Sequence, residues 1–434
     1  MNYYSLNKKA AIVDFKEAAI NGQAPDKGLY FPEHIPVFEK KLIANIEQIS
    51  NEELCYQVIS PYVGNAIPEM VLRDIVAQTI NFPIPLADVE PGIQALEMFH
   101  GNTLAFKDIG ARFMSRCLGY FVKGDNRKVT VLVATSGDTG GAVADGFYGV
   151  EGVQVVILYP SGKVSSVQEK QLTTLGENIF ALEVNGTFDD CQRMVKQAFT
   201  DEDLAHSLFL TSANSINVAR WLPQQFFYVL AYKQWKEKDN PPVISVPSGN
   251  FGNICAGLLA MKSGLPLKHF IAACNANDVV PSFMHTREYM SKKSVATISN
   301  AMDVGDPSNF IRILEIFNHD FDALTACFSS VSISDEETKK AIYETEKNTG
   351  YLLDPHGAVG YLALKKYLQT HTNDKGIFAE TAHPVKFYDV VEPVINKKIL
   401  LPDAVSKIID KEKVAVKIDT DFHQLKSFLM AMNG

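Results

Sequence analysis

Disulfide and metal-binding patterns are missing from this chain of 434 residues. Its six cysteines form no C-x-x-C pair, and their spacings suit neither zinc nor a disulfide framework. We therefore expect inert thiols in a reducing compartment. The ten histidines show no H-E-x-x-H or comparable ligand spacing, so no metal site is predicted.

Long apolar runs are also missing. No run approaches the roughly 18 residues of a membrane-spanning helix. The opening stretch, MNYYSLNKKAAIVDF, lacks an apolar core of signal-peptide length. Together these absences predict a soluble, cytoplasmic protein that has no membrane partner.

An excess of positive charge is absent as well. The net charge is −9, which argues against general nucleic-acid binding. An anionic substrate stays open, because one local cluster of Arg, Lys and backbone N–H groups is enough to hold a phosphate. The glycine-rich turns match neither the G-x-x-x-x-G-K-[ST] nor the G-x-G-x-x-G nucleotide motif, and no G-x-S-x-G elbow supports a hydrolase.

The length predicts two or three domains. Residues 1–92 place apolar positions at helical spacing between prolines, which predicts a mainly helical N-terminal domain. Beyond them, short β-branched runs alternate with helical stretches, as in parallel α/β sheets. We divide this part into a first α/β region, 93–225, and a second, 226–434. The strands expected are 128–135, 153–160, 178–184, 242–248, 269–275 and 376–381.

Two glycine-rich turns, TSGDTGG (135–141) and SGNFGN (248–253), join predicted strands to predicted helices. Gly249 and Gly252 allow the backbone to approach an anion, and a helix N-terminus adds unpaired N–H groups. Hydroxyl and carboxylate groups of the first turn lie at the carboxyl end of a strand, where open α/β sheets bind ligands. A turn that only packs or caps a helix is the alternative in both cases.

Lys107, in GNTLAFKDIGARF, stands before both turns at a predicted helix start. The helix dipole disfavours a cation there, and a lysine in an apolar setting loses its proton more easily. An amine near a phosphate cradle suits pyridoxal phosphate, whose aldehyde forms a Schiff base with a lysine. A surface lysine at a helix start is the alternative.

A polar segment, TSANSINVAR (211–220), places Asn214 and Ser215 shortly before Arg220. Such a segment can bind a phosphate or carboxylate through several hydrogen bonds and one fixed charge. A polar loop that caps the following helix explains the same residues.

Ten sequence blocks, in one order along nearly the whole chain, carry a family resemblance: NYYS, APDKGLYFP, TLAFKDIGARFM, ATSGDTGGAVADGFYG, VVILYPSGKVS, TSANSINVARWLPQ, VPSGNFGN, SNAMDVGDPSNF, DPHGAVGY and ETAHPVKF. In these blocks the chain resembles the threonine synthase family, in its longer form with an extra N-terminal domain. The resemblance implies a type II pyridoxal-phosphate fold similar to the tryptophan synthase β chain, with two open twisted α/β lobes and the cofactor between them. It also implies a carbon–oxygen lyase, monomeric or homodimeric, that converts O-phospho-L-homoserine and water to L-threonine and phosphate, the last step of threonine biosynthesis.

The same resemblance assigns site residues. Lys107 is implied as the Schiff-base lysine, Asp138 as the contact to the ring hydroxyl and Thr381 as the contact to the pyridine nitrogen. A carboxylate beside a phenolate oxygen is an unfavourable pair unless one of them holds a proton. The cofactor phosphate is expected at Gly249, Asn250, Phe251, Gly252 and Asn253, and the substrate phosphate at Asn214, Ser215 and Arg220, helped by Ser136 and Thr139.

Two departures from the family pattern and two competing functions remain. Asn102 replaces a proline and Lys27 a glycine, and neither is among the residues assigned to chemistry. A phospho-lyase on the same fold would release 2-oxobutyrate and ammonia instead of threonine. A catalytically silent relative would bind the cofactor only as an interaction module.

Overall fold

The computed structural model describes residues 1–124 and 128–432. The N-terminal part is mainly helical, as predicted, but it also holds a small antiparallel sheet of order β2–β1–β3 that helical spacing did not indicate. These strands have two to four residues each, too few for an alternating pattern to stand out. The elements are β1 (Asn2–Ser5), β2 (Val13–Asp14), α1 (Phe15–Asn21), β3 (Tyr30–Pro32), α2 (Lys40–Ala44), α3 (Asn51–Val63) and α4 (Glu69–Thr79).

The next part of the chain contains the strands predicted at 128–135, 153–160 and 178–184, which are confirmed as β6, β7 and β8 of the following series. Every residue of the strand 153–160 is buried, because helices cover both faces of its sheet. The series is β4 (Leu86–Glu90), β5 (Ile93–Glu97), α5 (Lys107–Val122), β6 (Val129–Ala134), α6 (Asp138–Phe147), β7 (Val153–Pro160), α7 (Ser166–Thr173), β8 (Ile179–Val184), α8 (Phe188–Thr200), α9 (Glu202–Ser207), β9 (Phe209–Thr211), α10 (Val218–Trp221) and α11 (Gln225–Gln234).

The last part contains the strands predicted at 242–248, 269–275 and 376–381, confirmed as β10, β11 and β13 of the final series. Across residues 1–124 and 128–432, no helix combines the length and the apolar character that a membrane crossing requires. The series is β10 (Val243–Pro247), α12 (Gly252–Lys262), β11 (His269–Cys274), α13 (Val279–Thr286), α14 (Phe310–Ile316), α15 (Phe321–Thr325), β12 (Phe328–Ser332), α16 (Asp335–Thr349), α17 (Pro355–Thr370), β13 (Gly376–Glu380), α18 (Tyr388–Ile395), α19 (Asp403–Ser406), β14 (Val416–Ile418) and α20 (Phe422–Ala431).

Two sheets build the two α/β lobes that the sequence predicted. The larger sheet has the order β12–β11–β10–β13–β5–β4 and is parallel apart from β4, and the smaller, parallel sheet has the order β14–β8–β7–β6–β9. The sheets do not follow the chain divisions at 93 and 226. Strand β5 pairs with β13 in the larger sheet, and β14 pairs with β8 in the smaller one. Chain order does not fix sheet membership, because long crossovers separate parallel neighbours.

The N-terminal domain is packed onto the polar segment 211–220. The side-chain amide of Asn217 donates to the Ala19 carbonyl at 2.8 Å, and its side-chain oxygen accepts from the Ala219 N–H, which caps α10. Phe31 stacks on Trp221, with ring centroids 5.9 Å apart. The buried Arg312 donates to the carbonyls of Tyr30 and of residue 216 at 2.8 and 2.7 Å. These contacts fix one wall of the region described next.

Candidate active site

Lys107 is the first residue of α5, where the sequence placed a helix start. The loop that leads to it runs antiparallel to the segment after β13: the Phe106 N–H donates to the Thr381 carbonyl at 2.9 Å, and the His383 N–H to the Leu104 carbonyl at 3.0 Å. Leu104 has a φ of 56°, a left-handed conformation that costs a bulky side chain free energy and is concentrated at functional sites. This pairing brings Lys107 and the buried Thr381 into the same region.

Asp138 lies at the start of α6 and is 6% exposed. Its Oδ2 atom is 3.5 Å from the Lys107 ammonium nitrogen. Its Oδ1 atom is 2.8 Å from Nζ of Lys386 and accepts a hydrogen bond from Nε2 of Gln168 at 3.0 Å. Burial opposes ionisation of this carboxyl, but the two ammonium groups outweigh it, and the pKa of Asp138 falls well below its usual range.

The Lys107 amine is shifted in the direction that a nucleophile needs. Burial lowers its pKa, and the cations of Lys386 and Arg220 lower the pKa further, while Asp138 acts in the opposite sense. The net effect places the pKa of Lys107 below that of a solvated lysine. The sequence predicted the same lowered pKa, because it placed Lys107 at a helix start in an apolar setting.

The turn before α12 offers backbone donors. A Cβ added to Gly249 would stand 2.7 Å from Cα of Met302, so a side chain does not fit there. Phe251 adopts a left-handed φ of 61°, and α12 begins immediately after it. The first N–H groups of a helix lack intrahelical acceptors and attract an anion. The Asn253 side-chain oxygen accepts from the Tyr228 hydroxyl at 2.8 Å and its amide nitrogen donates to the Met98 sulfur at 3.6 Å, so its backbone N–H is the donor left for the anion.

Arg220 places a guanidinium in the same region, and one of its N–H groups makes no hydrogen bond to the described residues. Its Nη1 atom donates to the Ala213 carbonyl at 2.5 Å, whereas its buried Nε atom has no hydrogen-bond partner among residues 1–124 and 128–432. Burial lowers the pKa of Arg220 to about 10, so the guanidinium stays charged at neutral pH. A buried donor without an acceptor is costly, which makes an added anion favourable. Of the other residues expected at the substrate phosphate, Asn214 and Ser136 are exposed, and Ser215 and Thr139 are half-buried.

Pyridoxal phosphate fits this residue set. Lys107 would offer the aldehyde an amine of lowered pKa, and Asp138 and Thr381 are the polar side chains that would hold the ring. Its phosphate would accept hydrogen bonds from the backbone N–H groups of the turn before α12. The unpartnered Nε of Arg220 leaves a further donor for a second anionic group. The fit rests on donors and on a close backbone approach, which is how proteins bind phosphate.

Sequence reasoning missed three groups that hold this site together. Lys386 is fully buried and donates to the Thr103 carbonyl at 2.8 Å as well as pairing with Asp138. Gln171 donates to the same carbonyl at 3.0 Å. Both hydrogen-bond donors of Thr103, its N–H and its hydroxyl, are directed at the buried carboxylate of Asp108. One sequence feature could have revealed Lys386. It lies between the apolar Val385 and Phe387 just after a predicted strand, a position where a solvated charge is unexpected.

Known proteins share this architecture over the whole chain. The family model described as pyridoxal-phosphate dependent enzyme matches residues 91–379, the one for the threonine synthase N terminus matches 2–80, and the one for the threonine synthase C-terminal part matches 357–429. A threonine synthase of Haemophilus influenzae is 44% identical over 431 residues, which cover 99% of this chain and 100% of the relative. That of Escherichia coli is 42% identical over 431 residues, covering 99% of both chains.

Solved structures agree. The crystal structure of threonine synthase from Escherichia coli superposes with a TM-score of 0.92 at 42% identity and covers 100% of both chains. An X-ray structure of pyridoxal-phosphate-bound threonine synthase from Brucella melitensis gives a TM-score of 0.95 at 31% identity, covering 100% of this chain and 99% of that one. The sequence resemblance and the two-lobed fold are both confirmed, and the chain belongs to the threonine synthase family of pyridoxal-phosphate-dependent enzymes.

Proposed function

We propose that this protein converts O-phospho-L-homoserine and water to L-threonine and phosphate. The observation that carries the proposal is the arrangement of a lysine amine, a buried carboxylate and a guanidinium whose Nε has no hydrogen-bond partner among the described residues. When bound, pyridoxal phosphate supplies an aldehyde that takes up the substrate amine and a ring that stores electron pairs as protons leave.

Lys107 is proposed as the residue that carries the cofactor and then moves protons. Its freed amine is proposed to take the proton from Cα of the substrate, to take a second proton from Cβ as the phosphate leaves Cγ, and to return a proton to Cγ before water adds at Cβ. A base that serves several steps works best when its pKa lies near the working pH, and the direction of the Lys107 shift supports this role. The Thr381 hydroxyl is proposed to hydrogen-bond the ring nitrogen, which leaves that nitrogen unprotonated.

The phosphate groups are assigned to two places. The backbone N–H groups of Gly249, Asn250, Phe251, Gly252 and Asn253 are proposed to hold the cofactor phosphate. The substrate phosphate is proposed to bind Arg220, Asn214 and Ser215, with Ser136 and Thr139 as further donors. Two separate anion sites are what a phosphorylated substrate and a phosphorylated cofactor require together.

Replacing Lys107 tests the function. Lys107→Ala should abolish both the visible absorbance of the Schiff base and threonine formation, while Lys163→Ala, which removes an exposed lysine, should retain both. Products of O-phospho-L-homoserine are measured as threonine and phosphate. Release of 2-oxobutyrate and ammonia instead would identify a phospho-lyase, and no turnover at all would identify a silent relative. Borohydride reduction followed by peptide mapping should place the pyridoxyl label on Lys107.

The proposal extends to the cellular compartment of the protein and to its oligomeric state. The six cysteines are free, five of them buried, which supports a reducing compartment such as the cytoplasm. We expect a monomer or a homodimer, and light scattering of the purified protein distinguishes these two states. Higher assemblies in that measurement would contradict the expectation.

A further inference from the structure

The fully buried Lys386 lies in a 3-10 turn, Pro384–Phe387, directly after the segment that contains Thr381. His383 fixes the start of this turn, because its Nδ1 atom accepts a hydrogen bond from the Val385 N–H at 3.1 Å. A buried ammonium is tolerated when it is paired and hydrogen-bonded. Lys386 meets both conditions through Asp138 and the Thr103 carbonyl, each at 2.8 Å.

Two lysines therefore share one carboxylate. Lys386 lies against Oδ1 of Asp138 at 2.8 Å, while Lys107 lies 3.5 Å from Oδ2. The Gln168 amide donates to the same Oδ1 atom at 3.0 Å and so strengthens the side of the carboxylate that faces Lys386. The shorter contact belongs to the lysine that has no assigned chemistry.

Charged groups reach Lys107 from three other elements. Asp138 comes from α6, Lys386 from the turn after β13 and Arg220 from α10, which makes two cations and one anion. On its own helix, Asp108 is bound by the N–H and the hydroxyl of Thr103. The positive charge of Lys386 also lowers the pKa of His383, although burial is the main reason that this pKa falls to about 4.

We propose that Lys386 is a positioning residue that competes with Lys107 for the Asp138 carboxylate and so keeps the Lys107 amine able to lose its proton. Without Lys386, Asp138 and Lys107 would form a closed buried ion pair, and the charged form of Lys107 would be favoured. The same cation balances the carboxylate charge, so Asp138 can stay ionised beside the ring hydroxyl. The inference rests on the proposed role of Lys107.

The proton affinity of Lys107 tests the inference. Competitive acetylation of the cofactor-free full chain between pH 6 and pH 11, read by mass spectrometry of the peptide that contains Lys107, gives its pKa directly. Lys386→Met should raise the pKa of Lys107 by about one unit or more, which lowers the free amine at neutral pH about tenfold. In the holoenzyme, the pH midpoint of the visible absorption band should rise as well. Lys426→Met is the matched control, because the partly exposed Lys426 pairs with Asp201 and Asp203 at the start of α9.

Asp138→Asn separates the two ways in which Lys386 could act. On that background the effect of Lys386→Met on the pKa of Lys107 should be clearly smaller, because there is no carboxylate left to share. Equal shifts on both backgrounds, or an unchanged or lower pKa of Lys107 in Lys386→Met, overturn the proposal. If Lys386→Met does not fold, Lys386→Gln replaces it, because its amide can still donate to Thr103, and the same two outcomes decide. A pyridoxyl label away from Lys107 would defeat the proposed function without altering this acetylation result.

Discussion

The side-chain amide of Asn250 donates a hydrogen bond to the Ser215 hydroxyl at 2.6 Å. This contact joins the turn proposed for the cofactor phosphate to the segment proposed for the substrate phosphate. The Asn250 side-chain oxygen accepts from the Ser308 N–H at 2.6 Å, and its carbonyl accepts from the Asn309 amide at 3.1 Å. Asn250 therefore links three segments, and its side chain positions Ser215 as much as it could bind a ligand itself.

We predict that Asn250 and Ser215 act as a unit. Each of Asn250→Ala and Ser215→Ala should raise KM for O-phospho-L-homoserine about fivefold, because this partly buried hydrogen bond joins neutral groups, and such a bond is worth ~1 kcal/mol. The double variant should be less than additive, with a coupling of ~0.5–1 kcal/mol in a double-mutant cycle. Asn185→Ala, which removes an exposed amide contact to Asp419, is the control and should leave KM as it is. Additive effects would show that the two residues act separately.

Arg220 should act chiefly on substrate binding. Arg220→Met should raise KM for the phosphorylated substrate about 10- to 100-fold, because a charged hydrogen bond in a buried site is worth ~1.5–3 kcal/mol. Arg220→Lys should recover only part of the loss, since an ammonium lacks the planar guanidinium fork. Thermal unfolding of each variant separates this effect from the lost contact to Ala213. An unchanged KM in a folded Arg220→Met protein would remove Arg220 from the substrate site.

Sequence patterns predicted those residues of the candidate site that stand out in their own stretch of chain. Lys107 stood out because it lies at a predicted helix start after an apolar run, and because two glycine-rich turns follow it further along the chain. Lys386 did not, because its partner Thr103 is 283 positions away, and no periodicity encodes which buried lysine a distant carbonyl will meet. The lysine proposed to carry the cofactor was thus predicted from the sequence, whereas the charged groups around it became visible only in the structure.

The strands, too, differ in whether the sequence alone predicts them. Strand β7 was predictable because all its residues except Gln154 are apolar, whereas β12 carries half-buried serines at one edge of the larger sheet, and β14 has only three residues. Such edge strands bury little apolar surface, so their pairing is decided by the neighbour rather than by their own composition. The crossing of β5 and β14 between the two chain regions follows from long-range pairing that a linear division cannot contain.

The glycine that is common in the family at position 27 has a conformational reason. Lys27 is exposed and adopts a φ of 67°, the left-handed region that costs an L side chain ~1–2 kcal/mol. Lys27→Gly removes that strain but makes the unfolded chain more flexible, so we expect a net gain of ~0.5 kcal/mol in the free energy of unfolding. Lys9→Gly, at an exposed position outside the left-handed region, should lose ~0.5–1 kcal/mol instead. Equal losses in both variants would contradict the strain at Lys27.

His269, at the start of β11 in the larger sheet, should lower the stability of the folded protein at acidic pH. Its ring stacks on Tyr367 with centroids 5.0 Å apart, and its Nε2 atom lies 2.8 Å from the Ser329 hydroxyl. Burial first, and then the nearby His371, lower the pKa of His269 from 6.5 to about 4. Because the folded state has the lower pKa, the unfolded state binds more protons between these values. The stability from neutral His269, at most ~3 kcal/mol, is therefore present above pH ~6.5 and is lost as the pH falls towards 4.

Denaturant unfolding at pH 7 and at pH 4.5 measures this loss. His269→Gln keeps a polar contact to Ser329 but does not titrate, so it should lose clearly less stability between the two pH values than the unmodified protein does. Ser329→Ala retains the histidine and removes only its partner, and it should lower stability by a similar amount at both pH values. If His269→Gln and the unmodified protein lose the same stability on acidification, the acid sensitivity arises from other carboxyl or imidazole groups, because His269 would then take up no extra proton on unfolding.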